Sequence, residues 1–420
     1  MDYGYPKNFF EANDVVKRIS GIMLLQGKED NIFFKWYQII YIIFVYSSTV
    51  VFTVGQYIMT KNSVNKISNL VSSLGVLLTT HVGHFKFWLL LSKKKELENL
   101  KNDIEGENYQ YATIGNSNPG LLLTNEKKFC TVCTYVYLAG CYLIGIFGNI
   151  TTVVRLNGAL TGNNTFESIN MTCNDFASFT FYIPFFTANK WQCIISSTVM
   201  YSGMAFESGI HAACDLLFFA MIHCLKIQLR IIADVFRTIR RRSLLKLNVP
   251  EDYTVLHDEE NSALEEELYR QLSHSTEHLN ILLRVTQEIE HLFTYVLLAQ
   301  TLSSLLIVAS FLYLTSTISI NDADFFLQMQ FLLVILIQLA LLCWSGNEIT
   351  EGFQLIKTAL YESDWLSCSH RFKRSMILTM IRLQRPVLLT LGGFSPLTLA
   401  TLVGVCQGSF SYFTLFKSFQ

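Results

Sequence analysis

The stretch PVLLTLGGFSPLTLATLVGVCQGSFSYFTLFKSFQ, Pro386 to Gln420, decides how the rest of the chain is read. It carries no charge before Lys417 and is broken once, by Gly392-Gly393-Phe394-Ser395-Pro396. A helix satisfies its own backbone in lipid, whereas an irregular turn leaves polar groups that hydrocarbon cannot hydrogen-bond. The break is therefore expected at or outside a membrane boundary, with a helix beginning there. Ser395 is a favourable N-cap and Pro396 a favourable first helical residue. The 24 residues from Pro396 to Phe419 would make roughly 36 Å of helix at about 1.5 Å each. That crosses a hydrocarbon core of about 30 Å once. The expectation is a final membrane-crossing helix with essentially no tail.

Composition points the same way. Hydrophobic residues make up 51% of the 420 and charged residues 15%, where soluble proteins carry about 25% charged. That argues against a string of soluble domains. Uncharged runs of membrane length recur at Trp36–Thr60, Ile67–Phe85, Phe129–Val154, Leu292–Asn321 and Phe325–Asn347. Trp191–Phe206 is shorter, but its apolar character resumes beyond Glu207 through Leu225. With the terminal stretch the count is seven, and the predicted fold is an all-α polytopic membrane protein.

Basic residues predict the orientation. Of 32 lysines and arginines, 27 fall before Trp36, in Lys86–Lys128, in Lys226–Arg284 and in Lys357–Arg385. The positive-inside rule then places the N-terminus in the cytoplasm and, after seven crossings, the C-terminus outside. Sequons at Asn149, Asn163 and Asn170 cluster at the end of the third span and in the loop after it, on the predicted outer side. Asn163 and Asn170 are the candidate glycosylation sites. No cleavable signal peptide is expected. The net charge of −1 carries no basic bias towards nucleic acid.

The chain divides into a cytoplasmic N-terminal segment (1–35) and four spans with an outer loop at 155–190 (36–229). A cytoplasmic loop running into an inner extension of helix five (230–291) and spans five and six (292–347) follow. Cytoplasmic anchor helices (348–391) and the last span (392–420) complete it. Leu264, Leu268, Leu272, Leu279, Leu282 and Ile289 recur at helical spacing, which predicts a helix continuing several turns below the bilayer.

Few residues suggest chemistry. Glu207, His211 and Asp215 lie four apart on one helix face, the pattern of a metal site, a proton relay or a hydrogen-bonded network between helices. The network is the expectation, and His81 and His84 lean the same way. Cys130-Thr131-Val132-Cys133 has redox or zinc spacing but no second pair, and reads as small packing residues. Pairing of Cys173 with Cys193 remains open. No phosphate loop, nucleophile elbow or catalytic carboxylate pair is present, so neither an enzyme nor a cofactor is expected. In the last helix Gly404, Gly408, Ser411, Leu415 and Ser418 share one face, with Thr414 beside it. The glycines permit close helix approach. Hydroxyls interrupted by one leucine suit a pore wall with an apolar gate, which needs several subunits around an axis.

Gly346-Asn347-Glu348, Tyr361-x-x-x-Trp365, Gln384-Arg385-Pro386, the Gly392-Gly393 break and Ser409-Phe410-Ser411-Tyr412-Phe413 resemble the insect odorant receptors, as does Asp215. The motifs cover about Gly346 to Gln420, and the topology covers the whole chain. The resemblance implies an odorant-gated cation channel working with an obligate co-receptor, as a heterotetramer in the plasma membrane of olfactory neuron dendrites. It implies a pore lined by Ser411, Thr414, Leu415 and Ser418, with Leu415 at the gate, and inner helices anchoring the subunits. The short inner loop suits a tuning subunit rather than the co-receptor. The related gustatory receptors end with a different signature, from which Ser411-Tyr412 and Ser418-Phe419 depart at both ends. A rhodopsin-like receptor would show Asp-Arg-Tyr and Asn-Pro-x-x-Tyr motifs, and neither is present.

A volatile ligand needs a mostly apolar concave site with one or two polar groups. By depth, the candidates are Tyr142, Gly145 and Asn149 on the third span, Met200 and Met204 on the fourth, and Ser304 on the fifth. Methionine suits promiscuous apolar sites because its side chain adapts.

Overall fold

The computed structural model describes residues 4–22, 32–64, 67–106, 109–115, 117–160, 166, 171–179, 181–183, 189–253, 257 and 260–418. Among them are eleven α-helices: α1 (Glu11–Ile19), α2 (Ile32–Asn62), α3 (Ile67–Ser92), α4 (Lys94–Glu105), α5 (Pro119–Ala159), α6 (Lys190–Arg237), α7 (Ile239–Lys246), α8 (Ser262–Thr317), α9 (Ala323–Glu362), α10 (His370–Arg382) and α11 (Leu399–Ser418). Seven of these, α2, α3, α5, α6, α8, α9 and α11, are long and apolar enough to cross a membrane. The predicted all-α, seven-span fold is what forms.

Local chemistry sets the helix starts. Asn118 accepts from Leu121 N at 3.1 Å with Pro119 at the first helical position of α5, and Asn261 accepts from Leu264 N at 3.2 Å to open α8. Both are side-chain caps for otherwise orphaned N–H groups. The predicted apolar line Leu264, Leu268, Leu272, Leu279, Leu282 and Ile289 is buried along α8, which runs unbroken through it.

Helix α6 is the axis. It is apolar on nearly all faces and is wrapped by α1, α2, α3, α4, α5, α8 and α9, the arrangement expected of a helix without a polar side. Two apolar clusters form around it. One gathers residues of α1, α4, α8, α9 and α10 at the end of the bundle that carries the basic loops. The other joins Phe52, Phe176, Phe179, Phe181, Tyr201, Phe311 and Phe331 at the opposite end. There Cys173 and Cys193 form a disulfide, their Cα atoms 5.8 Å apart, which resolves the pairing left open by the sequence.

Two sequence expectations are corrected. Ser395 does not cap the last helix and Pro396 does not begin it, because Gly392 and Gly393 take φ of +64° and +81° and turn the break into a hairpin of Thr390–Leu391 (β1) with Ser395–Pro396 (β2). Such φ values favour glycine and the tight reversals of hairpins. The hairpin satisfies its own backbone, Leu397 N donating to Leu389 O at 2.8 Å, and borrows Thr294 of α8, whose hydroxyl donates to Thr390 O at 2.9 Å. Gly346 of α9 admits this turn: a Cβ there would sit 2.8 Å from Leu397 Cγ. The helix therefore starts at Leu399. The second correction is Lys86, assigned above to an inner loop. The helix α3 continues to Ser92, and Lys86 is buried inside the bundle, because it finds a carboxylate partner there.

Candidate functional site

Four helices line a half-open cavity of about 40 Å³. Thr79 of α3, Tyr137, Cys141 and Ile144 of α5, Ser208 and His211 of α6, and Phe331, Val334, Ile335 and Gln338 of α9 line it. The wall is apolar with a few hydrogen-bonding groups, the usual chemistry of a small-molecule site. Its volume accommodates a few waters at most, whereas ligand pockets run to about 300 Å³ or more. An organic guest must push side chains aside.

A buried polar chain begins at this wall. Lys86 Nζ lies 2.7 and 2.8 Å from the two Asp215 oxygens and 3.3 Å from His211 Nδ1. His211 Nε2 is 2.8 Å from Thr79 O. The Gln338 amide donates to Asp215, and its carbonyl accepts from Gln300 Nε2 at 3.1 Å. Gln300 also donates to Ser304 at 3.1 Å. One residue on, Leu305 O accepts from Ser409 of α11 at 2.9 Å. Hydrogen bonds and two adjacent residues thus join the cavity wall to the last helix across α3, α6, α9 and α8. A charge pair this deep persists only with such partners. Glu207 sits beside His84, 3.5 Å from its Nδ1, and His81 meets Tyr57 at 2.6 Å. On the Glu207–His211–Asp215 face the Lys86 ammonium joins Asp215 to His211, while Glu207 Oε1 has no hydrogen-bond partner among the described residues.

The last helix is the other distinctive surface. Val405 and Ser409 are buried against α8, with Phe413 and Phe416 partly covered on the same side. Ser411, Thr414, Leu415 and Ser418 point away from the bundle, Leu415 being 46% exposed. The three hydroxyls donate to carbonyls of their own helix, at 3.2, 2.7 and 2.7 Å. Gly408 meets Leu305, 3.0 Å from a would-be Cβ, and Gly404 faces open space.

The six depth-chosen residues do not converge on the cavity. Tyr142 lies against Gly209, whose would-be Cβ falls 2.6 Å from the tyrosine hydroxyl. Gly145 packs against the Tyr201 carbonyl, and Asn149 donates to Thr198 at 3.3 Å. Met200 is fully buried beside Gly55, and Met204 is buried nearby. Ser304 belongs to the polar chain. Asn163 and Asn170 lie outside the described residues. Sequence reasoning missed Tyr137, Ser208, Gln338 and Lys86. A signal existed for two of them: Lys86 directly follows an apolar run, and Gln338 is an amide deep inside another.

Seven membrane-length helices, one of them a buried axis, with a small cavity wired to an exposed last helix, define a multi-pass helical membrane protein. The chain belongs to the 7tm odorant receptor family, whose model matches residues 66–410. Over 141 residues it is 29% identical to odorant receptor 10 of Aedes albopictus, covering 34% of this chain and 37% of that one. Over 238 residues it is 26% identical to odorant receptor 67a of Drosophila melanogaster, covering 55% and 54%. The chain thus spans from about a third to about half the length of these relatives. Its fold is similar over 100% of both chains to the insect olfactory receptor OR5 from Machilis hrabei in complex with eugenol, at a TM-score of 0.73 and 14% identity. A second structure of the same receptor gives a TM-score of 0.69 at 14% identity, covering 99% of both chains. Membership in a receptor family agrees with the expectation that the chain is not an enzyme.

Proposed function

We propose that this chain is an odorant-tuned subunit that, with an obligate co-receptor, forms a ligand-gated non-selective cation channel in the plasma membrane of olfactory neuron dendrites. The observation that carries the reading is α11: membrane-length, anchored to α8 along one side, and presenting Ser411, Thr414, Leu415 and Ser418 on the side its own bundle leaves uncovered. Several such helices around an axis would make a hydroxyl-lined path with an apolar ring, which gates by dewetting. Ile377, Leu378 and Ile381 of α10 are exposed apolar residues at the other end of the bundle and suit contacts between subunits in a heterotetramer.

The ligand is a small volatile organic molecule. Its site is the cavity between α3, α5, α6 and α9, in a chain whose overall fold is similar to that of a receptor solved in complex with eugenol. Met204 lies one turn from Ser208, so a cavity widened by a guest would extend towards Met204. Ligand contact with His211 or Gln338 would perturb the chain that ends at Ser409. The basic end of the bundle faces the cytoplasm in this reading. The Cys173–Cys193 disulfide at the opposite end supports it, because such bonds persist in oxidising compartments.

The test is electrical. With the co-receptor present, Leu415→Ala is expected to raise resting current in the absence of odorant. Unchanged leak and ion selectivity across substitutions at Leu415, Thr414 and Ser418 would remove the pore assignment.

A further inference from the structure

Away from the cavity and the polar chain, α5 and α6 bring three metal-ligating side chains together. Glu126 and Cys130, one helical turn apart on α5, meet His223 of α6, and one donor atom from each lies within 4.8 Å of the others. His223 is fully buried, with Nδ1 2.6 Å from Glu126 Oε1 and Nε2 lacking any hydrogen-bond partner. Cys130 is a buried free thiol. The rings of Phe219 and Trp344 close over the imidazole, 4.1 and 5.0 Å from its centre. Packing alone explains a small cysteine at this place. It does not explain an imidazole withdrawn from water with one nitrogen unpaired, since a buried polar group without a partner carries a desolvation cost.

We infer that Glu126, Cys130 and His223 form a binding site for a zinc-class divalent transition metal ion that clips α5 to α6. Thiolate, imidazole and carboxylate are the ligands such an ion takes. Metal–ligand bonds of about 2.0–2.3 Å in a tetrahedron place donor atoms roughly 3.3–3.8 Å apart, so side-chain rotation must open the 2.6 Å contact between His223 Nδ1 and Glu126 Oε1 while it draws in donors that now lie within 4.8 Å. Three protein ligands leave the fourth position to water. Binding forms the metal–sulfur bond as the Cys130 thiol proton leaves to solvent, with no change of oxidation state. The Glu126 carboxylate and the Cys130 thiolate balance the divalent charge. Lys226 Nζ, 3.8 Å from Glu126 Oε1, is itself paired with Glu348 at 2.7 Å, so it adds little uncompensated repulsion. The site is separate from the pore and from the ligand cavity, and its test needs neither.

Co²⁺ is the probe. Purified full-length protein in lipid nanodiscs, titrated with Co²⁺, is expected to develop a thiolate-to-cobalt charge-transfer absorption that one equivalent of Zn²⁺ removes. Cys130→Ser abolishes the band, whereas Cys133→Ser leaves it. Glu126→Gln, at a partly exposed position and with size conserved, weakens Co²⁺ binding by about tenfold or more. If Cys130→Ser fails to fold, the Glu126→Gln titration decides, and an unchanged affinity overturns the site. Absence of the band in the wild type, or its survival in folded Cys130→Ser, overturns it equally.

Discussion

Helices α6 and α11 are both apolar enough to cross a membrane, yet 89% of the most apolar stretch of α6 is buried within the protein and 11% of that of α11. The difference teaches what apolar character means in a membrane protein. In α6 it pays for burial among seven neighbouring helices, so every face is filled by the chain itself. In α11 it serves contact with lipid or another subunit, and one stripe is free to be polar. Hydropathy finds both helices and cannot tell them apart, because lipid and protein core are nearly equivalent solvents for an apolar side chain.

The contrast is breakable. Its largest test is the charge pair that pins α6 to α3: Lys86→Met leaves Asp215 buried without its counter-ion and should cost about 3–5 kcal/mol. Thermal unfolding of purified protein reads this, and a variant as stable as the wild type would mean that water reaches Asp215. Next is one substitution made in both helices. Leu217→Ala in α6, at a fully buried position, should cost about 2–5 kcal/mol. Leu415→Ala in α11 should change stability by no more than about 0.5 kcal/mol while altering resting current. Equal stability losses would show that α11 is packed within its own subunit.

The disulfide offers a third comparison, between the two ends of the bundle. Cys173→Ser opens the link that spans 20 residues and should cost about 2–4 kcal/mol. The loss should vanish when the wild type is compared under full reduction. The smallest effect belongs to the cavity. Ile144→Val removes one methylene from its wall, worth about 0.8 kcal/mol, so the half-maximal odorant concentration should shift by about fourfold with surface expression unchanged. An unmoved dose response there and at Ser208→Ala would place the ligand elsewhere.

Much of the fold was legible. Seven apolar runs, the turn chemistry at Gly392-Gly393 and the leucine line of α8 are local signals, each read from spacing and side-chain type. The polar face of α11 was equally legible, since helical period alone aligns Ser411, Leu415 and Ser418. The cavity was not. Tyr142 and Cys141 are neighbours in sequence, yet only Cys141 lines the cavity, because a rotation of about 100° per residue separates a wall from a packing contact. Depth in the membrane predicts which turn of a helix matters, and only packing says which face. The hairpin shows the same limit: two glycines announced a break, but pairing with Thr294 and the space left by Gly346 made it a strand turn instead of a helix cap.

Alone, the sequence determined that this is an all-helical, seven-span membrane protein of the odorant receptor kind with a polar stripe on its last helix. Those properties depend on periodicity and composition, which every residue carries with it. The tertiary structure decided that Lys86 is a buried partner of Asp215, that Cys173 bonds Cys193, and that His223 meets Glu126 and Cys130. Each pairs residues distant in the chain: lone charges and thiols have no preference until folding supplies a partner and removes the water.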